Sequence, residues 1–317
     1  MILIPFINQL PKVEQQQWLV VLNDKFAQRQ INAKVVLVEE ISEAQRELVN
    51  VAIVANPKPE HVRLFANLQW LQSVWAGVEK LVQTFAGSEL KISRLVDPTL
   101  AQTMSEAVVA WSFYAMRDMP LYRQQQRAQH WQQHPVKLAC DTKVAILGLG
   151  ELGQQAAQQL LANNFQVIGW SNSAKDIAGI ECFNGDEQLP QVLSQADIVV
   201  CLLPLTEKTH GLFNQHTLAL MPSQATLINF GRGAIIDEYH LLEALDDGVI
   251  KHAILDVFAV EPLDEEHAFW SHDHITVLPH ISAPTNVNSA SDIVVNNVDQ
   301  FINGGQLPAT VNLNRGY

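Results

Sequence analysis

The chain has 317 residues, 48% of them hydrophobic and 17% charged, with a formal net charge of −13. That length suits two domains, and that composition excludes wholesale disorder because there is enough apolar surface to fill large cores. The negative charge argues against nucleic acid or an anionic membrane surface as a partner, and no apolar run approaches the ~18 residues of a membrane span.

The opening "MILIPFINQL" lacks a basic lead and meets Pro11 and charged residues at once. It therefore reads as a first strand and not as a signal peptide. Strand-like runs occupy residues 2–7, 35–39, 51–55, 71–74 and 92–95, with helical stretches such as 13–29 and 78–85 between them. That alternation predicts a parallel sheet covered by helices. A long helix starts near Leu100, and its segment "SEAVVAWSFYAMRD" is apolar almost all round. Such a helix is expected between layers or at a subunit contact. A second helix is expected over "LYRQQQRAQHWQQH", with a solvated glutamine face and Leu121 and Trp131 packed beneath.

From Lys143 the alternation restarts with more regular spacing. "KVAILGLG", "FQVIGW", "ADIVVCLLP", "ATLINFG", "HAILDVF" and "ITVLPH" are six short apolar runs bounded by turn residues. Six parallel strands with crossover helices make a doubly wound sheet. One more helix is expected over residues 288–303. Cys140, Cys182 and Cys201 lie far apart with no CxxC, which fits a reduced, cytoplasmic compartment and thiols buried as small apolar groups.

Gly148-Leu149-Gly150-Glu151-Leu152-Gly153 matches GxGxxG directly after an apolar strand and at the start of a helix. In that context the pattern signals a dinucleotide site. The first glycine permits a tight turn, the second lets backbone approach a pyrophosphate, and the third lets helix and strand pack closely. The amides of Glu151 and Leu152 and the helix dipole would face the phosphates. An acidic residue ending the second strand would accept the ribose hydroxyls of NAD. Here the strand runs into Ser171, Asn172, Ser173, Ala174 and Lys175, with no carboxylate before Asp176. Hydroxyls, an amide and a cation can donate to a 2′-phosphate, so NADP is favoured, with NAD as the alternative.

Three segments follow the last three strands in order: Gly231-Arg232-Gly233, "LDVFAVEPL" and "LPHISAPT". Ligands of open α/β sheets bind at such strand ends, so Arg232, Asp256, Glu261 and His280 can converge beside the redox ring. His272, Asp273 and His274 form no convincing zinc ligand set, and no metal is expected.

With these motifs the chain resembles the D-isomer-specific 2-hydroxyacid dehydrogenases, through "GLGELG", "LLPLTEKTHGLFN", "INFGRGAIIDEYHLLEAL", "LDVFAVEPL" and "LPHISAPT". Within that family it looks most like the bacterial A-type glyoxylate/hydroxypyruvate reductases. The resemblance implies NADPH-dependent reduction of small 2-keto acids with an Arg232–Glu261–His280 active site. Arg232 would grip the keto acid with its planar fork, and its flanking glycines would let substrate and nicotinamide approach. His280 would protonate the forming alkoxide, and Glu261 would orient the imidazole and favour its cation. Asp256 would touch the nicotinamide carboxamide, and Met104 would floor the ring. Leu203, Pro204, Thr209, Phe230 and Gly231 would complete the cofactor contacts. The backbone amides of Trp75, Ala76 and Gly77 would hold the substrate carboxylate. Trp75, where relatives often carry glycine, would either narrow the pocket or simply pack.

The expected architecture is α/β, with two doubly wound parallel-sheet domains. A Rossmann nucleotide domain at residues 102–283 is inserted into a flavodoxin-like substrate domain of residues 1–101 plus 284–317, and a homodimer is expected. The alternatives are another D-2-hydroxyacid dehydrogenase, or a non-catalytic protein that senses a dinucleotide.

Overall fold

A computed structural model describes residues 1–312. The chain divides into two compact units, Met1–Thr99 with Thr285–Tyr317, and Leu100–Pro284.

The first unit holds β1 (Ile2–Asn8), β2 (Ala33–Leu37), β3 (Val51–Ala55), β4 (Trp70–Ser73) and β5 (Lys91–Ser93). They form one parallel sheet in the order β2-β1-β3-β4-β5. This is the flavodoxin-like order, which reverses direction between β1 and β3. β3 reads VAIVA and is buried at every position, as a central strand covered on both faces must be. One face carries the helices Lys12–Gln28 and Val287–Gly304. Trp18, Leu22 and Phe26 of the first repeat every fourth residue and meet Ala290, Val294 and Val298 of the second. Lys25 Nζ lies 2.7 Å from Asp292 Oδ2, and this bond, with Arg29 nearby, holds the Asp292 carboxyl below its usual range. The packing and the ion pair tie the C-terminal helix back onto the first helix of the chain.

The second unit holds β6 (Lys143–Leu147), β7 (Gln166–Ser171), β8 (Glu181–Asn184), β9 (Ile198–Cys201), β10 (Thr226–Asn229), β11 (His252–Leu255) and β12 (Ile275–Val277). All run parallel in the order β12-β11-β10-β9-β6-β7-β8. The sheet has one strand more than the six read from sequence. β8 escaped because it is four residues long, sits at the edge and buries only Phe183. Such a strand lacks the apolar run that marks a central one.

The helix Pro98–Met116 buries one stripe, including Met104, Val108, Ser112 and Met116. Trp111, Phe113 and Tyr114 are only partly covered, so within this chain the helix is not enclosed on all sides. The next helix stops at Arg127, short of the segment expected to continue it. Gln129 turns left-handed, and Trp131 is 92% exposed rather than packed beneath. After Leu121 the glutamine-rich stretch offers only the small Ala128 at helical spacing before Trp131, too little apolar surface to anchor further turns. Among the cysteines only Cys201 is fully buried, and burial pushes its thiol up to about 12. Cys182 is half-buried, whereas Cys140 is exposed and not the buried thiol expected.

His252, buried at the start of β11, shares a 2.9 Å hydrogen bond between its Nε2 and Thr276 Oγ1. Burial lowers its pKa from 6.5 to about 3, helped by His274, Lys251 and His272. The folded chain therefore keeps this ring neutral where the unfolded chain protonates it. Stability from this group is intact above the unfolded value and falls as pH drops below it, by about 1.4 kcal/mol per unit. Urea unfolding at pH 7 and pH 5 should show about 2 kcal/mol of this loss in the wild type, and His252→Gln should remove that part. An unchanged pH slope in the variant would contradict the assignment.

Candidate active site

The glycine-rich turn joins β6 to the helix Glu151–Ala162. A Cβ on Gly153 would lie 1.8 Å from the Gly148 carbonyl oxygen, so that glycine is what lets the helix sit against the turn. A Cβ on Gly150 would meet no atom within 4 Å. Gly150 precedes the first helical turn, and no side chain caps it among the described residues. The result is an open backbone cradle at a helix N-terminus, with free amides and a positive dipole end. These residues fit a dinucleotide pyrophosphate.

β7 ends at Ser171, whose hydroxyl donates to the Ser173 carbonyl at 2.7 Å. It shapes the loop instead of pointing a donor outward, which differs from the sequence expectation. Asn172, Ser173 and Lys175 are exposed. After β9, Leu203 is buried, and Thr209 Oγ1 donates to the Pro204 carbonyl at 2.6 Å while accepting from the Thr206 amide. Thr209 is thus committed to closing its own loop. Met104, Phe230 and Leu278 belong to one buried apolar cluster.

Adjacent parallel strands β10, β11 and β12 deliver the next three loops at the same edge of the sheet. At the end of β10, fully buried Asn229 accepts from the Gly231 amide at 3.1 Å and donates to the Arg232 carbonyl at 3.0 Å. A Cβ on Gly231 would come within 2.7 Å of the Leu203 carbonyl oxygen, and one on Gly233 within 1.9 Å of the Phe258 carbonyl carbon. Both glycines are therefore required by neighbouring backbone. Arg232 is half-buried, and its Nη1 donates to the Gly231 carbonyl at 2.7 Å.

The loop after β11 carries Asp256 and Glu261. Glu261 Oε1 accepts from the Phe258 amide at 2.9 Å, and its Oε2 lies 2.7 Å from His280 Nδ1. A carboxylate only accepts, so Nδ1 carries the hydrogen and Nε2 is left for other chemistry. The His280 and Glu261 side chains remain 54% and 34% exposed, which leaves the pair reachable from solvent. His280 has φ 53°, a left-handed conformation that costs a non-glycine residue about 1–2 kcal/mol. The Asp256 carbonyl accepts from the His280 amide, and the Asp256 carboxylate accepts from Ile281 and Ser282 at 2.7 and 2.9 Å.

In the first unit, the loop after β4 holds Trp75, Ala76 and Gly77, all half-buried. The Trp75 amide donates to Ser73 Oγ at 3.0 Å, so it is already committed and is not the free carboxylate donor expected. The Trp75 ring stands edge-on to Trp18 at 5.9 Å and joins that unit's core, which favours packing as its role.

The family model for the D-isomer specific 2-hydroxyacid dehydrogenase NAD binding domain matches residues 109–282. The chain belongs to the D-isomer specific 2-hydroxyacid dehydrogenases. Solved structures of this family align over essentially the whole dehydrogenase. One from Xanthobacter autotrophicus, in complex with NADPH and MES, is 32% identical, covers 99% of each chain and has a TM-score of 0.90. An NADPH-dependent glyoxylate/hydroxypyruvate reductase from Sinorhizobium meliloti, with NADP and sulfate, is 30% identical over 100% of each chain, with a TM-score of 0.88. A probable 2-hydroxyacid dehydrogenase from Rhizobium etli, with NADP, HEPES and tartaric acid, is 28% identical over 100% of each chain, with a TM-score of 0.88. As a member of this family, the dehydrogenase is an NAD(P)-dependent oxidoreductase. No helix among its described residues is long and apolar enough to cross a membrane.

Asn229 was not singled out from sequence. The signal was there: a polar residue ends the apolar run "ATLIN" immediately before the turn it organises. A carboxylate just past a strand gives no hint in the sequence that it folds back onto the next loop, as that of Asp256 does.

Proposed function

We propose that this dehydrogenase reduces small 2-keto acids, glyoxylate and hydroxypyruvate first among them, to 2-hydroxy acids with NADPH. The observation that carries the proposal is the 2.7 Å Glu261–His280 pair, at the strand edge that also presents Arg232. The Sinorhizobium reductase supports the substrate class, being an NADPH-dependent glyoxylate/hydroxypyruvate reductase similar along the full length. The pyrophosphate would sit on Gly150 and the amides of Glu151 and Leu152. When bound, the nicotinamide supplies a hydride to the carbonyl carbon of the keto acid. Arg232 grips carboxylate and keto oxygen together, drawing electron density toward the oxygen. His280 gives the proton on Nε2 to that oxygen, while Glu261 keeps the hydrogen on Nδ1. The ring is left in a neutral, hydrogen-bonded tautomer, so no rearrangement is needed before it is protonated again.

NADPH is preferred over NADH because no carboxylate ends β7, and Lys175 stands in the loop that follows. A homodimer in the cytoplasm completes the proposal. Trp131, Val136 and Leu138 are exposed apolar side chains, and Trp111 and Tyr114 of the helix Pro98–Met116 are only partly covered; a second copy would bury such surface. A non-catalytic, dinucleotide-sensing role is disfavoured by the intact His280–Glu261 pair.

The test is an absorbance assay at 340 nm crossing NADPH and NADH with glyoxylate, hydroxypyruvate, pyruvate, phenylpyruvate and bulkier keto acids. Fastest turnover is expected with NADPH and the first two. Lys175→Asp should lower the NADPH-to-NADH ratio of kcat/KM by roughly 10- to 100-fold, the worth of one charge-assisted hydrogen bond. No turnover with any keto acid, or a better rate with bulky ones, would overturn the substrate assignment.

A further inference from the structure

The carboxylate of Asp256 is 2% exposed, and both its oxygens accept from backbone. The acceptors grip consecutive amides: Oδ1 takes Ile281 and Oδ2 takes Ser282. The carbonyl of the same residue takes the His280 amide at 3.0 Å. One residue at the end of β11 thus holds three successive amides of the loop after β12. The first of these belongs to a histidine in the left-handed region, which an unrestrained loop would leave. Relaxation of that backbone angle would swing the imidazole away from Glu261, whose own position is fixed by the Phe258 amide. The Asp256 chain also reaches back to β10, since its amide donates to the Asn229 carbonyl at 3.1 Å. Asn229 in turn shapes the Arg232 turn.

From this geometry we infer that Asp256 is a positioning residue, a clasp that holds His280 in its strained backbone conformation and so keeps Nδ1 on Glu261. It acts on His280 through the backbone of the loop that carries it. The inference rests on the assignment of His280 as the acid under Proposed function.

Asp256→Asn keeps the size but puts an NH2 against one of the two amides. Its kcat should fall on the order of 10- to 100-fold, the cost of a small misplacement of a reacting group. Its Kd for NADPH, followed by nicotinamide fluorescence, separates any loss of cofactor binding from the loss at His280. The downfield Nδ1 proton signal of His280 in a proton–nitrogen NMR spectrum should broaden or move. In a His280→Ala background, Asp256→Asn should cost nothing further in residual turnover, because residues that act through one another are not additive. An intact kcat, or an unmoved Nδ1 signal, would overturn the clasp. If His280→Ala alone keeps full turnover, the acid assignment fails, and the Nδ1 signal still decides the clasp. Should the asparagine variant fail to fold, Asp256→Glu keeps the charge but displaces it by one methylene, and the same loss of the Nδ1 signal is expected.

Discussion

Replacing His280 by alanine is expected to lower kcat by roughly 100- to 10,000-fold, the usual worth of a positioned general acid. NADPH should still bind at the wild-type Kd, because the glycine cradle before the helix Glu151–Ala162 is remote in sequence and built from backbone. The loss follows from the pair's geometry. With Nδ1 held 2.7 Å from Glu261, Nε2 is the ring atom that can face the substrate. No other ionisable side chain in the same loop replaces it, since Pro279, Ile281 and Ser282 surround it. Single-turnover reduction followed at 340 nm separates the chemical step from product release. Near-normal single-turnover rates in the variant would remove His280 as the acid.

The second large effect is expected at Arg232. Arg232→Lys keeps the charge but loses the fork. In the wild type one guanidinium nitrogen, Nη1, is anchored on the Gly231 carbonyl at 2.7 Å. The remaining N–H groups are then oriented by a rigid plane, whereas an ammonium on a flexible stem is not. KM for glyoxylate or hydroxypyruvate should rise by roughly 10- to 100-fold, the value of one charged hydrogen bond, with a further fall in kcat from poorer alignment. The turn itself should survive, because Asn229 holds it through backbone groups of Gly231 and Arg232. Steady-state kinetics with equal thermal stability would check this, and an unaltered KM would exclude Arg232 as the substrate clamp.

The two sheets were legible because their strands bury both faces and therefore read as continuous apolar runs, as VAIVA and IVVC do. The edge strand β8 and the end of the glutamine-rich helix were not. An edge residue has one partner strand, and a solvated helix has no apolar spacing to mark its last turn. Trp131 illustrates the failure: a large aromatic in a polar stretch reads as an anchor, yet here it is exposed.

At the candidate site, the sequence by itself carries the chain order: a glycine-rich turn, then Arg232, Glu261 and His280 after three successive strands. Parallel pairing sends successive strand ends to one edge, so local pattern and chain order suffice for that much. Only the tertiary structure decided which atoms are committed. Gly231 and Gly233 meet backbone, the Trp75 amide meets Ser73, and Asp256 holds the loop of His280. Those partners are set by distances between loops far apart in sequence, and a hydrogen bond or a missing Cβ leaves no periodic trace in the residues that make it.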